Sequence, residues 1–173
     1  TFTVRPADPV GLQLLIPGEA AVPGSGNYPA GGKTSAISTQ AAGTAFNVEV
    51  NLVDPYMNKY TDLSVGPTVY IVTSDLYDLD PSSSALNYGT LQLPVNMVTR
   101  AAAATMKVFP VGAADNLICF GNFGGACHND DAAAKASLKV YASTATRLEV
   151  VLPGQGLAEG KCNISPPCKD PLI

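Results

Sequence analysis

The chain has 173 residues, 14% of them charged, with one His and no Trp, and its Lys+Arg of 10 against Asp+Glu of 14 leaves a net charge of −4. A nucleic-acid surface needs clustered Lys and Arg to displace counterions, so this balance excludes one. The apolar-rich segments Leu12–Ile16 and Leu148–Leu152 stop after five residues, so no membrane span is expected.

A chain of this length forms one domain of ordinary size and buries about two-thirds of its unfolded surface. The first residues, with Phe2 and Val4 alternating, read as a strand-like segment, and Leu12–Ile16 follows as a second. Turn chemistry comes next at Pro17-Gly18, Pro23-Gly24 and Pro29-Ala30-Gly31-Gly32. Phe46, Val48, Val50 and Leu52 alternate with polar residues, which is the period of a half-buried strand. Val69–Thr73 is apolar enough to be buried on both faces. Further strands are expected at Leu91–Val95, Met106–Val111, Leu138–Tyr141 and Leu148–Leu152. Only the Ala-rich stretches Arg100–Thr105 and Asp130–Ala136 favour helix, and neither carries a long amphipathic stripe. Short strands with regular turns predict an all-β sandwich with extra terminal strand segments. The expected organisation is an N-terminal strand and linker over 1–11, the sandwich over 12–141, and a linker, strand and Cys/Pro-rich tail over 142–173.

Cys119 and Cys127 lie eight apart, and Cys162 and Cys168 six apart, in Gly-, Asn- and Pro-rich surroundings. Local pairing into two disulfides is expected, although three connectivities satisfy the count. Neither spacing is that of a zinc site, and haem attachment needs a Cys-x-x-Cys-His run that is absent. Disulfides imply an oxidising compartment, so the expected location is extracellular or the cell surface, with any export signal already removed.

Nucleophilic catalysis needs a base beside Ser or Cys, and His128, next to Cys127 on a loop, is the only histidine. No catalytic residue is assigned. Asp75, Asp78 and Asp80 have a spacing at which carboxylates on a turn could hold Ca²⁺, but the EF-hand Gly and Glu are missing. Hydrogen bonding to their own turn is the commoner use of such residues, and no cofactor is expected. Tyr56, Tyr60, Tyr70, Tyr77 and Tyr88 could stack on a sugar, yet they are scattered along the chain.

The two ends carry a repeat. When Thr1 is set against Ser137 without gaps, Val4/Val140, Leu12/Leu148, Pro17/Pro153 and Gly18/Gly154 are identical, and Phe2/Leu138, Leu14/Val150, Leu15/Val151 and Ile16/Leu152 are conservative. A fixed offset across a strand, a linker and a second strand is the mark of a tandem array. The assembly strands are therefore expected at Phe2 and Val4 and at Leu148, Val150 and Leu152, with partners that are copies of the chain or adjacent repeats of its kind.

Leu12–Ser25, Gly32-Lys33-Thr34, Gln40–Val50 and Val53–Asn58 resemble the opening of bacterial Ig-like repeats in large secreted surface proteins, including that family's Asp-x-x-x-Asn turn at Asp54–Asn58. The resemblance covers about residues 1–112 and restarts near 137. It implies an exported all-β module without catalytic activity, an Ig-like β-sandwich to which this chain adds extra terminal strand segments and a disulfide-bearing loop. Residues 113–136 and the Cys-bearing tail from Lys161 depart from it. The functional expectation is a structural subunit of a surface filament or repeat array, assembling head-to-tail through edge strands. The alternative is an adhesin-like module that binds a glycan or protein through its loops.

Overall fold

A computed structural model describes residues 3–111, 134–146 and 148–161 of the chain. The expected all-β architecture is present: among the described residues there is no α-helix. The strands are β1 (Gly11–Leu15), β2 (Gln40–Ala41), β3 (Phe46–Val53), β4 (Val65–Thr73), β5 (Ser84–Asn87), β6 (Thr90–Val95), β7 (Ala101–Pro110) and β8 (Lys135–Tyr141). They form one mixed sheet in the order β1-β3-β6-β5-β4-β7-β8-β2, with only β2 and β8 parallel. The sheet curls on itself into a half-barrel, so that β1 comes to face β7 and β8.

The period-two residues fill the inside of this curl. Leu12 and Leu14 of β1, Val48, Val50 and Leu52 of β3, and Met106 and Val108 of β7 are all buried. Each large apolar side chain withdrawn from water contributes roughly 1.5–3 kcal/mol, which the ordering of the chain offsets in large part. Between β5 and β6, Tyr88 (φ 45°) and Gly89 (φ 71°) make a two-residue hairpin turn. A side chain on Gly89 would collide with the Tyr60 carbonyl, so the turn accepts only glycine there.

Several expectations need correction. Val69–Thr73 is buried on one face only: Val69 and Ile71 are 0% exposed, whereas Val72 between Ile71 and Thr73 is 37% exposed. Arg100–Thr105 is not helical, because Ala101–Pro110 form one long strand between β4 and β8. Sheet context outweighs the weak helix preference of alanine, and Ala104 takes an inward place in the strand's alternation. In the other Ala-rich stretch, Lys135 and Ala136 likewise open strand β8. Finally, Leu148–Leu152 is not a strand: the segment lies outside the sheet with Leu148 fully exposed and Val150 71% exposed. Among the described residues, the segment joins no strand of the sheet.

Candidate assembly interface

Strand β1 is an edge strand whose five residues are all buried. It pairs antiparallel with β3, from Gly11↔Val53 to Leu15↔Glu49. Leu12 and Leu14 face the core. Gln13 points to the other side, beneath the loop that follows Pro17, and there its amide nitrogen and oxygen are both hydrogen-bonded. Its Nε2 donates to the Gly32 carbonyl at 2.7 Å, and its Oε1 accepts from Asn51 Nδ2 at 3.2 Å. Asn51 Oδ1 in turn accepts from the Thr90 hydroxyl at 2.9 Å. The ring of Tyr28 lies directly over Gly11, where any side chain would meet it.

Lys33 closes the free side of β1. Its ammonium donates to the Leu14 carbonyl at 3.0 Å and to the Lys135 carbonyl at 2.7 Å, tying β1 to β8 across the seam of the curled sheet. Glu19 balances the charge at 3.3 Å, with its side chain only 4% exposed. Burial draws the Lys33 pKa below its ordinary value, and the Glu19 carboxylate opposes that effect without cancelling it.

After β1 the chain turns at Ile16-Pro17-Gly18-Glu19. The Glu19 N–H donates to the Ile16 carbonyl at 2.9 Å, while Glu19 Oε2 accepts from the Ile16 N–H at 3.0 Å. Gly18 sits at φ 93°, the left-handed position that such a Pro-Gly turn requires. The equivalent residues near the other end build the same turn. Gln155 N–H donates to the Leu152 carbonyl at 2.9 Å, Gln155 Oε1 accepts from the Leu152 N–H at 3.1 Å, and Gly154 has φ 86°. At its Pro-Gly turn, the repeat found in sequence is therefore also a repeat of local structure. The strand residues before the two turns differ sharply in environment: Leu12 and Leu14 are 0% exposed, whereas Leu148 and Val150 are 100% and 71% exposed.

The Asp54–Asn58 turn ties down the segment that leads into β1. Asp54 is fully buried; its Oδ1 accepts from the N–H groups of Tyr56 and Asn58, and its Oδ2 from Asn58 Nδ2 and the Ala7 N–H, all at 2.8–2.9 Å. Burial alone would raise its pKa, but these bonds outweigh that and hold the carboxyl below its ordinary range. Val4 stands outside any strand and is 80% exposed, and Phe2 lies outside the described residues.

The Asp75–Asp80 loop connects β4 to β5, and its carboxylates serve the chain itself. Asp75 accepts from the Val98 and Thr99 N–H groups at 2.7 Å and from the Thr99 hydroxyl at 2.6 Å, which joins this loop to the β6–β7 connection. Burial acts to raise its pKa, and the bonds from Thr99, Tyr77 and Val98 overcome it to give a net lowering. Asp78 accepts from the Thr73 hydroxyl at 2.6 Å, and Asp80 from the Thr73 N–H at 3.1 Å. Burial, with the charges of Asp80 and Asp75 nearby, pushes the Asp78 carboxyl up to about 6. Among the described residues, no three His, Cys, Asp or Glu side chains are grouped as a metal ion would need. The exposed tail returns to this corner: Glu159 pairs with Arg100 at 2.9 Å, and Gly160 packs against Thr99 and Tyr77.

The five tyrosines form no shared platform. Tyr60 and Tyr70 pack on the core, Tyr70 against Phe109 with ring centres 5.5 Å apart, whereas Tyr56 and Tyr88 are exposed. Cys119, Cys127, Cys162, Cys168 and His128 lie outside the described residues. Gln13 and Lys33 escaped the sequence reading of candidate residues. Strand alternation places Gln13 in solvent, and only the covering loop makes it a buried amide. A lysine after two glycines carries no signal of a seam closure. No family model, curated protein or solved structure matches the chain.

Proposed function

We propose that the chain is a non-catalytic extracellular building block, an Ig-like module that joins other Ig-like modules, copies of itself or adjacent repeats, head-to-tail through edge strands in a surface filament or repeat array. The observation that carries this reading is residues 148–155. They repeat the apolar register of β1 and reproduce the hydrogen bonds of its Pro-Gly turn, while Leu148, Val150 and Leu152 face solvent. A sequence repeated at the two ends, with a strand before its turn in one copy and an exposed segment before its turn in the other, is what a junction between successive modules looks like when it is read out of a single copy. The curled sheet is compatible with an Ig-like sandwich. β1, β3 and β6 make one leaf and β5, β4, β7, β8 and β2 the other, and among the described residues the Asn87↔Thr90 pair of the hairpin is the only strand pairing between them.

The test is a two-module chimera in which residues 1–146 are followed by residues 11–173 of a second copy. Small-angle scattering should return a folded rod about twice as long as the single chain. An expanded or aggregated second half would sink the reading.

One observation favours the adhesin-like alternative. Leu76 and Leu79, 85% and 77% exposed, stand on the β4–β5 loop, and Leu76 borders a cleft of about 150 Å³ with Tyr77, Thr99 and Ala104. Saturable binding of a glycan or protein that disappears with Leu76→Ser/Leu79→Ser would establish it.

A further inference from the structure

The apolar positions of the tail match β1, but the positions at which β1 makes specific contacts do not. Gly11, which lies under the Tyr28 ring, corresponds to Arg147. Gln13, whose buried amide donates to the Gly32 carbonyl and accepts from Asn51, corresponds to Glu149. Glu19, the buried counter-charge of Lys33, corresponds to Gln155. Placed on this module's β3, the tail would aim a carboxylate at a carbonyl oxygen, leave the Lys33 ammonium without its carboxylate, and drive Arg147 into Tyr28. Each is an unsatisfied or overpacked buried group of the kind that discriminates against a wrong partner. The β1 position of every copy is, moreover, already filled by its own Gly11–Leu15.

We infer that residues 147–155 are addressed to the β1 position of an Ig-like module with a different sequence, and not to a second copy of this chain. The inference rests on the head-to-tail reading above and specifies its partner. The receiving module keeps pockets for the apolar residues Leu148, Val150 and Leu152. It presents a hydrogen-bond donor or cation where this chain has the Gly32 carbonyl. It has no aromatic ring over the position of Arg147, and no buried lysine that depends on a carboxylate at the position of Gln155. The assembly is then an ordered series of unlike modules in which each tail carries the address of the next.

Two chimeras test this. In both, residues 1–155 are followed by residues 20–161 of a second copy, so that the tail must serve as β1 of the second module. One carries the tail as it stands, and the other carries Arg147→Gly, Glu149→Gln and Gln155→Glu. Chemical unfolding of the second module is followed by hydrogen exchange at its β3. The matched chimera should fold in both halves, and the unaltered tail should leave the second half at least about a hundredfold more often unfolded, since one unsatisfied buried polar group costs tenfold or more. Equal stability of the two second modules would overturn the inference and leave head-to-tail joining intact. Failure of the matched second module to fold would overturn the head-to-tail reading itself.

Discussion

Glu19 and Gln155 occupy equivalent places in two turns and make the same pair of hydrogen bonds, each to both the carbonyl and the N–H of the residue three positions before it. One turn follows a buried strand and the other an exposed segment. Because the local geometry is the same in both settings, the Pro-Gly turn is set by its own sequence, and burial of the preceding strand depends on what lies beside it.

That contrast predicts opposite results from the same kind of substitution. Leu14→Ala should destabilise the protein by about 2–5 kcal/mol through lost burial and the cavity left behind. Val150→Ala, its counterpart in the tail, should change stability by less than about 0.5 kcal/mol. Urea unfolding of both variants checks the pair.

Asp54 holds four donors from two segments, and Asp54→Ala leaves them without their acceptor inside the fold. The expected loss is about 3 kcal/mol, with Asp54→Asn costing less because one oxygen still accepts. The Ala7 amide should exchange with solvent faster in Asp54→Ala, which amide exchange by NMR would register.

Lys33 joins β1 to β8 and neutralises Glu19. Lys33→Met should cost about 3 kcal/mol, because it leaves the Glu19 carboxylate buried without a partner. Adding Glu19→Gln should recover part of that loss, although the bonds to the Leu14 and Lys135 carbonyls stay broken. A double-mutant cycle in urea measures the coupling.

Asp78 makes stability depend on pH. Its folded carboxyl keeps its proton up to about pH 6, whereas an ordinary Asp releases it near 3.8. The folded state therefore binds this proton more tightly. The stabilisation is complete below about pH 4 and is lost as pH rises through 6. Asp78→Asn should raise the melting temperature at pH 7.5 while changing it little at pH 4. Asp54 and Asp75 act in the opposite sense: their lowered pKa values stabilise the fold above the ordinary value and fail as pH falls below it. Thermal melts of both proteins across pH 3–8 separate the two effects.

Much of the architecture was legible because period-two burial is written directly into residues such as Val48, Val50 and Leu52. The Asp54–Asn58 turn was equally plain, since a short carboxylate followed by such a loop has few other uses. The seam was not. Lys33 acts on carbonyls of residues 14 and 135, and no local pattern encodes a contact between backbone groups so far apart. Alanine misled at 101–105 for a related reason: its own preference is weak, and β4 and β8 on either side decide the outcome. At Leu148–Leu152 the strand expectation fails: the apolar alternation is there, but the segment joins no ladder of the sheet.

The most direct test of the account is amide hydrogen exchange at Leu148–Leu152, compared between the single chain and the matched-tail two-module chimera. Leu148, Glu149 and Val151 should exchange fast in the single chain and gain protection in the chimera that rises to the level of Gly11–Leu15, whereas the Leu152 N–H is already bonded to Gln155 in the single chain. Exchange that remains fast once the second module is attached would contradict the claim that this segment is a β1 strand for a neighbouring module.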